Sequence, residues 1–540
     1  MSIRNEASWR WPLITGFIAV PIALPIVSIL TKGFLADTGY WQHLRATVLS
    51  DYLANTLGLM LLVGLLAAFI GITGAWLTAT RRFPGSRYFS WLLILPFAAP
   101  AYVVAYAYAD LLEFAGPLQT GLRELFQTTP EDSYFPAIRS LPGAALVLSF
   151  VLYPYIYLTC YAAFTRQSSA YRKAAQSLGA SPLRVFFKVS LPVARPAIAA
   201  GLALVLMETA ADYGVVDFYG VPTFTTGIFR TWFALGEHQA AMQLAATLFG
   251  VVALLILFEK FARRGLVANP LSSRVTPERE EMKGLAAWCA TLFCSVPVLV
   301  GFIIPVLLFI SQAISHGDPM LGRAFSNYAS NSALVASITA FLAAVAAIAL
   351  CYASRLDDRW FIRGGLRFAT LGYAFPGLVL AVGLMVPLTA LDKYLSSLLE
   401  INRLVITGSI GGLVMVYLAR FLTVAFNSTE AGMEQINPRL DAAARSLGAG
   451  PWRLLRRIHL PLISPAIVTG ALLVFIDVVK ELPATLIMRP FNFETLATRA
   501  YRLASDERVA EASSACLCII ALGCIPTIII GLRLIRGRSL

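Results

Sequence analysis

Residues 54–79 contain no Asp, Glu, Lys or Arg. A helix needs roughly 20 predominantly apolar residues to cross a bilayer, and this run is long enough to do so. The pattern recurs along the chain. We read twelve spans, at 11–31, 54–79, 89–111, 143–164, 195–214 and 239–260, then at 286–312, 331–353, 367–388, 404–426, 464–482 and 512–532. Charged residues make up only 14% of the 540 positions, against about 25% in a soluble domain. A membrane barrel would show short alternating segments, which are absent. The expected class is an all-α polytopic membrane protein, each span satisfying its own backbone hydrogen bonds in the lipid bilayer. Arg4 and Arg10 precede the first span, as they would in a signal peptide. That span is long and ends in no clear small-residue cleavage site, so it reads as a retained helix.

The formal net charge of +13 does not point to nucleic acid. The cations lie in short loops: Arg81, Arg82 and Arg87; Arg166, Arg172, Lys173, Arg184, Lys188 and Arg195; Arg355, Arg359, Arg363 and Arg367; Arg439, Arg445, Arg453, Arg456 and Arg457. With twelve spans all of these fall on one side, which places both termini in the cytosol. The loop at 112–142, with Glu113, Glu124, Glu131 and Asp132, belongs outside. The seven cysteines sit in apolar spans and read as small buried hydrophobes. With no CxxC pair and only scattered histidines, nothing calls for a disulfide framework, zinc or haem, and no cofactor is expected in this chain.

The chain also repeats itself. Ala174–Ile198 reads AAQSLGASPLRVFFKVSLPVARPAI, and Ala443–Ile467 reads AARSLGAGPWRLLRRIHLPLISPAI. The two glycines set the offset, 448 − 179 = 269, which also pairs Pro182 with Pro451 and Pro192 with Pro461. It then pairs Gly201 with Gly470, Glu208 with Asp477, and Asp212 with Glu481. Earlier in each half the offset is 276, as for Asn55 and Asn331. Each half holds six spans, so the repeat is parallel. The expected modules are 1–262 and 286–540, joined by a cytosolic linker at 263–285 that contains Pro270, Pro277 and the run Glu278–Glu281.

Each repeated loop reads as a short helix, a break and a second helical turn. Ala174-Ala175 and Ala443-Ala444 favour helix with almost no side-chain bulk. Gly179 and Gly448 can turn the backbone left-handed. Pro182 and Pro451 suit the first position of a helix. Leu191-Pro192 and Leu460-Pro461 are expected to stop that turn before the next span. The product is a rigid knob able to seat in a groove on a partner.

These residues resemble the Glu-Ala-Ala loop of the permeases of binding-protein-dependent ABC importers. In that pattern a Gly follows three residues after Glu-Ala-Ala, then nine residues, Ile, one residue and Leu-Pro. Val189 and Ile458 hold the Ile position, whereas Lys173 and Ala442 replace the Glu, with Asp441 adjacent to the latter. The resemblance covers most of the chain and is strongest to ferric-iron permeases. It implies a type I importer fold with both halves fused, in the inner membrane of a bacterium. It also implies two copies of a separate ATPase seated on the two loops, and a periplasmic binding protein that delivers Fe(III). No G-x-x-x-x-G-K-[ST] occurs, so ATP hydrolysis is assigned to the partner and the chain itself is not read as an enzyme.

Candidate substrate-path residues cluster near the far ends of spans five and eleven. Glu208 lies twelve positions after Pro196 and Asp477 twelve after Pro465, about 18 Å along each helix. Asp212 and Glu481 follow one turn later, on the same face. Ionisable groups at that depth are expected to face a wet cavity or a partner charge such as Lys480, Arg230 or Arg499. Glu208, Asp212, Tyr213, Asp217 and Tyr219 offer hard oxygen ligands suited to a hard cation, though such a cluster also suits a docking or gating surface. Related fused permeases resemble transporters of thiamine, polyamines or phosphonates, and the same architecture could carry those. A proton- or sodium-driven secondary transporter is the alternative of another class, since parallel repeats occur there too.

Overall fold

This computed structural model describes residues 10–35, 39–127, 136–167, 175, 177–263, 279–316, 322–357, 359–400 and 405–535. Among the described residues, eleven helices are long and apolar enough to cross a membrane, or twelve if one bent pair counts as a single span. That pair, Ser86–Ala98 and Ala101–Phe126, is bent by 87°. It contains the expected third span. Pro100 sits at the bend in extended conformation (φ −60°, ψ 144°) and opens the second helix. A residue in that conformation cannot continue a helix.

The chain divides into two compact units that cut across the two sequence halves. One comprises 1–44, 228–249 and 320–499; the other comprises 45–227, 250–319 and 500–540. Each unit therefore takes its central spans from one half and accepts the first span of the other half. In the former unit, Arg10–Leu35 packs on Trp360–Ala369 and Gly377–Leu399. A Cβ on Gly383 would lie 2.6 Å from the Pro25 carbonyl oxygen, so the two backbones touch. In the latter unit, Leu285–Val298 packs on Leu49–Thr80 and Ser86–Leu92, and Ile304–Ser315 packs on Ala101–Leu112 and Val509–Ile535. Compact units and sequence modules are thus different partitions of the chain.

Within each unit, small residues bring helices together, as lipid-embedded packing requires. A Cβ on Gly201 would lie 2.7 Å from Ile156 Cα, and one on its repeat counterpart Gly470 would lie 3.2 Å from Ala425 Cα. Of the linker at 263–285, residues 264–278 lie outside the described residues. Its Glu280–Glu281 forms a two-residue parallel strand pair with Arg81–Arg82, reinforced by an Arg81–Glu280 ion pair.

Candidate functional site: two equivalent loops and two acid-bearing helix ends

Over the residues described in both, the two repeated loops follow the same backbone path. In the second, Pro438–Ser446 is helical and ends at Gly448, whose φ is +78°. The Gly448 N–H donates to the Arg445 carbonyl at 2.9 Å and the Ala449 N–H to the Ala444 carbonyl at 3.0 Å. This pair of bonds is a Schellman cap, which needs a left-handed residue at the glycine. In the first, Gly179 also has φ +78°, and the Ala180 N–H donates to the Ala175 carbonyl at 3.0 Å. Ala174 lies outside the described residues; Ala175 is half-buried, Ala443 exposed and Ala444 buried. Pro182 and Pro451 then open the four-residue helices Pro182–Val185 and Pro451–Leu454.

Leu191-Pro192 and Leu460-Pro461 do not stop the chain, contrary to expectation. The helical path runs unbroken from Pro182 to Ala211 and from Pro451 to Val479. A five-residue π turn, Phe186–Ser190 or Leu455–His459, precedes each Leu-Pro. Proline lacks an N–H and clashes with the carbonyl four residues back in an ordinary helix. The wider π turn puts the i→i+5 bond just before the proline, so the helix carries on. Leu191 and Pro192 are half-buried, as is Leu460, while Pro461 is exposed.

What holds each loop differs. Tyr352 and Trp76 are equivalent at the 276 offset. The Tyr352 hydroxyl donates to the Pro451 carbonyl at 2.5 Å. Beside it, Asp441 is buried: it accepts from Arg355 Nε at 2.8 Å and lies 2.9 Å from His459 Nε2. Arg355 also donates to the Met433 and Ile436 carbonyls, at 2.9 and 3.1 Å. Burial pushes the Asp441 carboxyl up, but these donors outweigh it and hold the group below its ordinary range. The acid beside the missing Glu thus turns inward. In the first loop, Trp76 packs on Phe186 at 4.8 Å between ring centroids, with the Arg81 guanidinium 5.1 Å from the Trp76 ring. The counterparts of Arg355 and His459 there are Ala79 and Ser190.

At the far ends of these helices, each pair of acids splits. The helices end at Ala211 and Val479, so Asp212 and Glu481 do not share a helical face with Glu208 and Asp477 as expected. Each instead caps the next short helix. Asp212 Oδ2 accepts from the Val215 and Val216 N–H groups at 3.1 Å, and Glu481 Oε1 from the Ala484 N–H at 3.2 Å. Glu481 is also locked to Arg420 Nη1, 2.8 Å from both carboxylate oxygens. Asp477 pairs with Lys480 at 2.8 Å, one of the partners anticipated. Glu208 is half-buried in its helix. Arg499 packs over the Tyr328 ring at 5.4 Å.

In the first half the structure joins Asp217 and Tyr213 through a residue that sequence reasoning missed. Tyr501 donates to Asp217 Oδ2 at 2.6 Å, and its oxygen lies 3.1 Å from the Tyr213 hydroxyl. Tyr501 has Trp232 as its repeat counterpart, so the offset carried no signal for a phenol there. Tyr219 leaves the set, because its hydroxyl donates to the Ala105 carbonyl at 3.1 Å. Among the described residues, no group of three or more His, Cys, Asp or Glu side chains is placed to hold a metal ion.

Two six-span repeats, each carrying a Gly-turned loop that feeds an acid-bearing span, define a duplicated helical permease component. Residues 68–263 and 348–539 each match the family described as "binding-protein-dependent transport system inner membrane component". The chain belongs to this family and is a multi-pass ABC importer permease. It is 25% identical to the Fe(3+)-transport system permease protein FbpB 2 of Haemophilus influenzae, over 98% of both chains. It is 24% identical to a probable ABC transporter permease protein, y4fN, of Sinorhizobium fredii, over 98% of this chain and 95% of that one. A probable sulfate transport system permease protein of Nephroselmis olivacea is 30% identical over 40% of this chain and 74% of its own length.

Proposed function

We propose that the chain translocates ferric iron handed over by a periplasmic binding protein. Two copies of a separate ATPase bind the two repeated loops on the cytosolic side, where both termini also lie. ATP-driven closure of the ATPase pair rocks the permease between outward and inward openings. Glu208 and Asp477 lie near the periplasmic ends of their spans, and Asp212, Tyr213, Asp217 and Glu481 lie in the segments that directly follow.

The observation that carries the iron reading is the Asp217–Tyr501–Tyr213 chain of oxygens. Carboxylate and phenol oxygens suit a hard trivalent cation. A sulfate reading draws on the sulfate permease relatives. Physical chemistry disfavours it, because a dianion passing Asp212 and Asp217 would meet charge of its own sign. The second-half acids Asp477 and Glu481 are matched by Lys480 and Arg420, which favours a gating or structural role for them.

The test uses the complete importer in proteoliposomes. ATP hydrolysis is measured with the binding protein loaded with Fe(III), with sulfate or with a polyamine. Iron is expected to stimulate. Stimulation by sulfate or polyamine alone would sink the iron reading, and uptake that needs an ion gradient and no ATPase would sink the importer mechanism. Gly179→Asp and Gly448→Asp should abolish ATPase co-purification while membrane insertion survives.

A further inference from the structure

We infer that the two loops grip their ATPase with reversed polarity: each presents an apolar tip ringed by cations, and the partner supplies an apolar floor rimmed by carboxylates. This rests on the reading that an ATPase binds these loops.

The tip is visible twice. Leu178 and Leu447, one repeat offset apart, are 89% and 86% exposed. Leu183 and Trp452, again equivalent, are 66% and 69% exposed. A single exposed apolar side chain is ordinary, but two at the same places on both copies mark a contact surface. Leu178 and Leu447 immediately precede the left-handed glycines, and nothing lies within 4 Å of a Cβ built on either glycine. The rigid turn therefore projects each leucine into open space.

The charge around the tip has one sign. Arg184 and Lys188 are exposed in the first loop, and Arg445, Arg453, Arg456 and Arg457 in the second. Across 177–192 and 438–461 the only acid is Asp441. That carboxylate is buried and committed to Arg355 and His459. The position where the family pattern has Glu is Ala442, which is exposed. The loops thus have no carboxylate to offer, and complementarity requires the acids to come from the partner. A lipid surface would be read by a continuous apolar helix face. Leu178 and Leu447 instead stand on the glycine turns, outside any helix face.

The permease and its cognate ATPase are co-expressed and purified in detergent without anionic lipid, and the ATPase bound per permease is measured against sodium chloride. Wild type should lose ATPase as salt rises. The double reversals Arg184→Glu/Lys188→Glu and Arg456→Glu/Arg457→Glu should each lower co-purification at low salt, about tenfold for a lost complementary rim. Leu178→Ser/Leu447→Ser should weaken binding at every salt concentration. Ala442→Glu, which installs the family's acid, should weaken binding as well. Thermal unfolding and elution profile establish that each variant is folded. The inference is overturned if Ala442→Glu strengthens binding, if the reversals change nothing, or if binding depends on anionic vesicles. A wild-type permease that brings down no ATPase at all overturns the ATPase reading itself, and this inference with it.

Discussion

The two repeated loops share a trace and differ in their anchors. Gly179 and Gly448 have the same φ of +78°, both loops open their second helix on proline, and both enter the next span through a π turn. Yet Trp76 holds the first by packing its ring, tilted, against Phe186, whereas Tyr352, Arg355 and Asp441 hold the second through hydrogen bonds and charge. The difference separates two kinds of information. A turn is dictated locally by residues that tolerate few conformations, so it survives divergence between repeats. An anchor needs only to be strong enough, so dispersion and ion pairing can replace one another.

The sharpest way to break the comparison is at Asp441. Asp441→Ala leaves Arg355 and His459 facing each other in a buried site without their carboxylate. Removing one member of such a group is expected to cost about 2 kcal/mol, allowing for some solvent reach. Thermal unfolding in detergent should show the loss, and protease nicking near Arg456 should rise while nicking near Arg184 does not. The carboxyl titrates below its ordinary value of 3.8 when folded. Its contribution is therefore complete above that value and is lost only as pH falls further. ATPase binding at the second loop should accordingly show no weakening from this group on mild acidification.

Gly179→Ala and Gly448→Ala test the shared half of the comparison. A left-handed conformation costs a side-chain-bearing residue about 1–2 kcal/mol. Because both glycines have the same φ and open surroundings, the two losses should agree. Unequal losses in thermal unfolding would show that the anchors, and not the turn, decide the loop's shape.

Much of this was legible in the chain because it is local. The 269 offset carries Gly, Pro and Leu-Pro in register, and those residues state their own backbone demands. The π turns were not legible, since nothing in Leu455–His459 or Phe186–Ser190 departs from helical composition. The tertiary exchange of first spans between units was equally silent: a span's periodicity shows that it has a buried face, not which neighbour buries it. Arg420 is not among the expected partners Lys480, Arg230 and Arg499, and only the folded chain shows that this guanidinium in Ile410–Glu434 meets Glu481.

The anchoring aromatics give a smaller effect. Tyr352→Phe removes one hydrogen bond to the Pro451 carbonyl, about 1 kcal/mol. Trp76→Leu removes the Phe186 contact and the Arg81 cation–π pair, of similar size. If the two anchors are interchangeable in strength, nicking of the two loops by trypsin should rise to the same degree.

The smallest effect distinguishes the loops at a single atom. Ser181 Oγ accepts from the Arg184 N–H at 3.4 Å and caps the first short helix, while its counterpart Gly450 has no side chain with which to cap. A bond that long sits at the weak end of capping, so Ser181→Ala should cost about 0.5 kcal/mol. Gly450→Ser probes the converse, because Gly450 already has the extended φ of −70° that a capping serine adopts. It should gain a few tenths of a kcal/mol at most. Amide exchange at Arg184 and Arg453 reads both changes directly. Faster exchange at Arg184 in the first variant, with slower exchange at Arg453 in the second, would show that the loops differ by this cap alone once their anchors are held constant.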